Sequence, residues 1–198
     1  VIQDSGLQVD HPEFKDANGV SRVQLIDWFA ASGVTGSQSV NHYRDFDGHG
    51  THCGGTATGL NFGWASNARV YSVKVNGLNG SGDSGTGISV NSCFDVIKGW
   101  HQNKPVDPKT GYKRPTIVNA SWGYSGSIGS SFSNIESYVY RGVTYNSSTA
   151  GWSSTTSYHR DTYGFYPYYR FPSYRYPSRI ASVDADVQDC IDAGVHIC

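Results

Sequence analysis

Methionine is absent from the 198 residues, and cysteine is scarce, with four. Cys53, Cys93, Cys190 and Cys198 form neither a Cys-x-x-Cys pair nor a dense framework pattern. Cys53 and Cys93 therefore read as buried free thiols, and the spacing selects no pair for a disulfide. An excess of either charge is lacking as well. Fifteen basic and 16 acidic residues leave a net charge of −1, which removes the electrostatic footprint of a nucleic-acid binder. No apolar run approaches the length that crosses a bilayer, and no signal peptide is present, so no membrane partner is expected. There is no starting methionine either. The chain opens on Val1-Ile2-Gln3-Asp4, which reads as the inside of a strand, so both ends are expected to be cut from something longer. The length still suffices for one domain with a proper core.

Glycine (24) and tyrosine (14), by contrast, are plentiful. The glycines gather in Asp47-Gly48-His49-Gly50-Thr51-His52-Cys53-Gly54-Gly55. Gly48 and Gly50 allow a sharp turn and leave room for a substrate to approach the ring between them. The small residues after them suit a helix whose first turn presents His49 and whose body is buried. Imidazole exchanges a proton near neutral pH without tuning, which makes His49 a candidate general base. The alternative is a glycine-rich turn that holds a structural or metal-binding His-x-x-His.

Hydrophobic periodicity organises the rest. Val1-Ile2-Gln3 is a strand end that breaks at Asp4-Ser5-Gly6, and His11-Pro12-Glu13-Phe14 is a loop or single turn. Residues 23–30 (VQLIDWFA) read as a strand, 49–60 as a helix and 69–75 (RVYSVKV) as an alternating strand. Residues 76–84 are loop, about 85–100 helix, 102–114 an exposed excursion and 116–120 a buried strand. A last helix over about 182–193 is closed by Gly194, and residues 195–198 begin another strand. Strands alternating with helices over crossovers of ten residues or more predict an α/β sandwich around a mostly parallel sheet. In such sheets, sites gather at the carboxyl ends of strands. Asp4, the 76–84 loop and Ser121-Trp122-Gly123 fall at such ends, and His49 starts a helix on the same edge.

A buried aspartate that accepts a hydrogen bond from one imidazole nitrogen leaves the other free to take a proton from a nucleophile. Asp4-Ser5-Gly6 with His11-Pro12, then Gly48-His49-Gly50-Thr51-His52-Cys53, then Asn79-Gly80-Ser81-Gly82, then Ser121-Trp122-Gly123, resembles the subtilisin-like serine proteases. The cysteine after the second histidine makes the proteinase K branch the nearest in motif. The resemblance implies a subtilisin-like three-layer α/β/α sandwich, incomplete at its carboxyl side, and hydrolysis of peptide bonds in a polypeptide substrate. It makes Asp4 and His49 the first two members of an Asp-His-Ser triad, His52 a structural residue and Cys53 a buried thiol beneath the base. Asn79, Gly80, Ser81 and Gly82 match the edge strand that pairs with substrate backbone, and Ser121, Trp122 and Gly123 match the far wall of the primary specificity pocket. Family order places the nucleophile in a later Gly-Thr-Ser-x-Ala motif and an oxyanion asparagine just past the strand that residue 195 begins. Neither is among the 198 residues, so this polypeptide alone is expected to be inactive. The resemblance also implies a preceding propeptide and a secreted protein. It allows structural calcium, but no ligand set can be matched, and no other cofactor is implied.

The departure from the family lies at about 124–180, a Tyr/Ser/Pro-rich insertion in an otherwise partial peptidase domain spanning 1–198. Between 124 and 179 stand 11 of the 14 tyrosines, five arginines, two acids and no lysine. The run Tyr163 to Pro172 repeats aromatic-proline steps that resist regular helix. One reading is a loop packed on its own domain. The sharper one is an exosite for a protein partner, since Tyr and Arg give much contact area for little lost entropy. Other motifs fail on context. Gly82-Asp83-Ser84-Gly85 imitates a chymotrypsin nucleophile but is followed by a helix, and Asp83 lacks the apolar strand an aspartic protease loop needs. A metal on His49 and His52 has no evident third ligand. A protease-like domain that only binds remains the non-enzymatic alternative.

Overall fold

The computed structural model describes residues 1–77, 86–129, 137–152, 173–177 and 179–198. They fall into two compact units, Val1–Trp122 with Arg179–Cys198, and Gly123–Ser178.

The first unit is a parallel sheet with helices on both faces. Its strands are β1 (Ile2–Asp4), β2 (Val23–Gln24), β3 (Val70–Lys74), β4 (Thr116–Val118) and β9 (Val195–Ile197). β3 pairs in parallel with both β1 and β2, and β4 with β9. The Ile2–Asn119 bridge, with Gln3 N–H donating to Asn119 O at 3.0 Å, joins β1 to β4. The resulting spatial order is β2-β3-β1-β4-β9. The helices are α1 (Trp28–Ser32), α2 (His49–Thr58), α3 (Val90–Asn103) and α4 (Ala181–Asp192). The fold class expected from the sequence is the one observed.

Alternation along the strands explains the two cores. Val73 and Val75 face α1, α3 and α4, packing with Trp28, Phe94, Val96, Ile97, Val118, Cys190 and Val195. Val70 and Ile2 face the other side, where Leu7, Phe14 and Val23 complete a smaller cluster with Ala57 of α2. Asp4, two residues on from Ile2, shares that second face and so points toward α2. The small residues of α2 permit the close fit: a Cβ on Gly54 would lie 2.8 Å from the Leu7 side chain.

Two expected elements change. Residues 23–30 are not one strand, because only Val23–Gln24 pairs before α1 begins. The Asp27 carboxylate accepts from Phe29 N–H and Ala30 N–H, and the Gly33 N–H returns to Phe29 O, so the two ends of this short helix are closed by caps. Trp28 is then buried, with its indole N–H on Ser72 O at 2.8 Å. The helix expected from residue 85 begins only at Val90. Ile88 pairs with β3 through Ile88 N–H to Lys74 O and Asn76 N–H to Ile88 O, and the Ser89 hydroxyl caps α3.

Within the second unit, β5 (Ser125–Gly129) pairs antiparallel with β8 (Ser173–Pro177), and β6 (Ser137–Tyr140) with β7 (Val143–Asn146). The β6–β7 hairpin turns on Arg141-Gly142, both with positive φ (50° and 80°), the signature of a type I′ turn. The aromatic-proline run at 163–172 lies outside the described residues.

Candidate active site

Asp4 ends β1 fully buried, while His49 opens α2 with its side chain half exposed. The two meet at 2.8 Å between His49 Nδ1 and Asp4 Oδ1. The same carboxylate oxygen accepts the Ser5 N–H at 2.7 Å, and Asp4 Oδ2 is buried without a hydrogen-bond partner. The bond to Asp4 holds the His49 pKa above the ordinary histidine value, against the effect of partial burial, and the charges of Asp4, Asp47 and Asp45 add to it. With Nδ1 engaged on a carboxylate, Nε2 is the nitrogen that can take up a proton.

Gly50 makes this approach possible, but not by admitting a substrate. A Cβ there would lie 2.2 Å from the Gly6 carbonyl oxygen and 3.1 Å from Ser5 Oγ, so the space is taken by the turn after β1. Gly48, at φ 94°, has open space around it and sets the left-handed start of α2.

Sequence reasoning misses Asp45. Its carboxylate accepts from Ser5 Oγ (2.9 Å), Asp47 N–H (3.0 Å), Gly48 N–H (2.8 Å), Thr51 N–H (2.8 Å) and Thr51 Oγ1 (2.6 Å). Burial pushes this carboxyl up, but the bonds from Thr51, Gly48 and Ser5 outweigh it and hold it below the usual range. The N-cap of α2, Gly48, offers no side chain, and its first N–H groups are taken by Asp45, Asp47 and Ser5 from outside the helix.

The other residues singled out in the sequence divide. Cys53 is half-buried rather than buried, with Sγ 3.7 Å from His49 Nδ1 and 3.8 Å from Nε2. Burial pushes its thiol up, and the polar side chain of nearby Ser121 pulls the other way. Ser121 Oγ donates to Asn119 Oδ1 at 2.9 Å. The Trp122 indole N–H donates to the carbonyl of Gln3, next to Asp4, at 2.8 Å. Gly123 is exposed at the start of the second unit. Asn79, Gly80, Ser81 and Gly82 lie outside the described residues. His52 is exposed, on the outer face of a helix whose inner face is taken by Gly50 and Gly54. All four cysteines are free, with Cys93 and Cys190 buried and Cys198 exposed.

Among the described residues, one group of three or more His, Cys, Asp or Glu side chains comes close enough to share an ion: Asp4, His49 and Cys53. Its nitrogen and sulfur donors do not suit calcium, which takes oxygen ligands. No described helix is long and apolar enough to cross a membrane.

The model of a known family, described as the Subtilase family, matches residues 1–162. Proteinase R of Parengyodontium album is 31% identical over 139 residues, which cover 68% of this chain and 29% of that protein. Cerevisin of Saccharomyces cerevisiae is 40% identical over 129 residues, 62% of this chain and 16% of its own length. A cuticle-degrading serine protease of Arthrobotrys oligospora is 38% identical over 89 residues, 44% and 19% respectively. The chain thus spans less than a third of the length of these curated relatives.

Proposed function

Because the chain belongs to the subtilase family, we propose that it carries the aspartate and histidine of a serine endopeptidase. In this reading Asp4 and His49 form two thirds of a triad, and the nucleophilic serine and oxyanion asparagine come from sequence outside these 198 residues. The observation that carries the proposal is the 2.8 Å bond from His49 Nδ1 to the buried Asp4 carboxylate at the carboxyl edge of a parallel sheet.

The chemistry follows from that geometry. Asp4 fixes the imidazole tautomer and offsets the positive charge that forms when Nε2 takes the serine proton. The same nitrogen then returns the proton to the leaving amine. Asn79 to Gly82 would pair with the substrate backbone as an added strand, and Ser121, Trp122 and Gly123 would border the primary pocket. Residues 1–198 would form a partial peptidase domain, interrupted by an insertion at about 124–180, and follow a propeptide in a secreted protein. Calcium takes no part in these steps.

A fluorophosphonate probe tests the assignment. The product of the complete coding sequence should be labelled on one serine, and His49→Ala should abolish labelling. A complete product that folds and resists labelling would support the alternative, a protease-like module that only binds. For the insertion, deleting residues 151–178 from the complete product should impair cleavage of a protein substrate and spare small peptides. Equal effects on both would count against an exosite.

A further inference from the structure

We infer that Asp45 is a positioning residue that locks Asp4 and His49 into register by tying the turn after β1 to the first turn of α2. The inference rests on the reading of His49 as the base, and it concerns how that base is held.

Asp4 and His49 belong to elements 45 residues apart in sequence, and their one direct tie is a single hydrogen bond. A bond between a half-exposed ring and a buried carboxylate does not fix the distance between two backbones. Asp45 supplies that constraint from both sides. One carboxylate oxygen, Oδ1, takes the Ser5 hydroxyl and the N–H groups of Asp47 and Gly48, and Oδ2 takes both the N–H and the hydroxyl of Thr51. The Ser5 oxygen in turn accepts the Gly50 N–H at 2.8 Å. Ser5 directly follows Asp4, and Gly50 directly follows His49. The Ser5–Gly50 link therefore closes one ring around the Asp4–His49 bond, and the path Ser5–Asp45–Gly48 closes a second, each link shorter than 3 Å. Thr51 extends the ring outward by accepting the Gln8 N–H at 3.0 Å. Charge-assisted bonds of this kind are about twice as strong as neutral ones, so an ionised Asp45 suits the task better than an amide.

Misplacing a catalytic group by about 1 Å can cost on the order of a hundredfold in rate. In the product of the complete coding sequence, Asp45→Asn should lower kcat for a chromogenic peptide by roughly ten- to a hundredfold, with KM little changed. Ser5→Ala alters no charge and should reproduce the effect in the same direction. In an Asp4→Asn background, where the bond being positioned is already weakened, Asp45→Asn should add less than it does alone. Wild-type rates in both Asp45→Asn and Ser5→Ala, or losses that simply multiply with Asp4→Asn, would overturn the inference. A second readout stands apart from activity, the proton NMR signal of the His49 Nδ1–H in the folded protein. Positioning by Asp45 requires this signal to move or broaden in both variants, and an unchanged signal rejects it, even where the wild-type product shows no turnover and the peptidase reading itself has failed.

Discussion

Gly50→Ala tests whether the close approach of α2 to the turn after β1 builds the site. The new methyl would stand 2.2 Å from the Gly6 carbonyl oxygen and 3.0 Å from its nitrogen, both backbone atoms that no rotamer change can move. To reach ordinary contact, helix and turn must separate by about 1 Å, which also stretches the Gly50–Ser5 bond now at 2.8 Å. Overpacking of this kind costs about 3 kcal/mol, the lost hydrogen bond about 1 kcal/mol, and alanine's better helix propensity returns about 1 kcal/mol. The expected net loss is therefore about 3 kcal/mol. With a slope of about 2 kcal/mol per molar, the urea midpoint should fall by about 1.5 M. Gly55→Ala, in the same helix, is the internal control. Its Cβ would meet nothing within 4 Å, so it should gain up to about 1 kcal/mol from propensity alone. Equal midpoints for the two variants would refute the packing argument.

Further expectations concern titration and thiols. Asp4→Asn weakens the hydrogen bond and removes the charge that together raise His49, so the His49 midpoint, followed by NMR, should fall; an unchanged midpoint would dissociate the pair. Because the folded value is raised, the stabilisation from this pair is fully present below the ordinary value of 6.5 and is lost as pH rises through the folded value. His42 runs the other way. It is buried, accepts the Lys74 N–H at Nε2 (3.1 Å) and reaches Thr86 O through Nδ1 (3.1 Å), and burial, with help from Lys74, lowers its pKa. The unfolded chain then binds the proton more readily, so His42 should destabilise the fold as pH drops below 6.5, down to the folded value. His42→Gln, compared with wild type by urea denaturation at several pH values, should remove that component, and an identical acid limb would contradict the assignment. Among the thiols, a disulfide reagent should reach Cys198 first and Cys53 more slowly, with Cys93 and Cys190 reacting only in denaturant. Burial holds Cys93 far above the usual thiol range and Cys190 at about 11.

Elements with a strong period are legible in the sequence. The alternation of residues 70–74, the helical spacing from Val90 to Trp100 and the closing Gly194 locate β3, α3 and α4 within a few residues. The small-residue run places His49 at a helix start. The five-residue α1 is not legible, because Asp27, Gly33 and the reach of Trp28 to Ser72 hold it rather than any pattern in its own residues. Gly50 stands out in the motif, but as access to the ring instead of contact with Gly6, since the contact joins segments far apart in the chain. Asp45 stays silent for a similar reason. Its partners are mostly backbone N–H groups, which leave no trace in residue type, and the Ser5 link appears only when β1 and α2 are brought together. A run of small residues suggests burial of the body of the helix, Cys53 included, whereas only the face bearing Gly50 and Gly54 is turned inward.

The central claim, that His49 held by Asp4 is the base of a serine endopeptidase, is tested most directly by turnover of a chromogenic peptide. The product of the complete coding sequence should hydrolyse it, and His49→Ala should lower kcat by about 10⁶-fold, as loss of the corresponding histidine does in subtilisin. The 198-residue polypeptide should show no turnover above background. Hydrolysis by the 198 residues alone, or a complete product whose rate survives His49→Ala, would contradict the account.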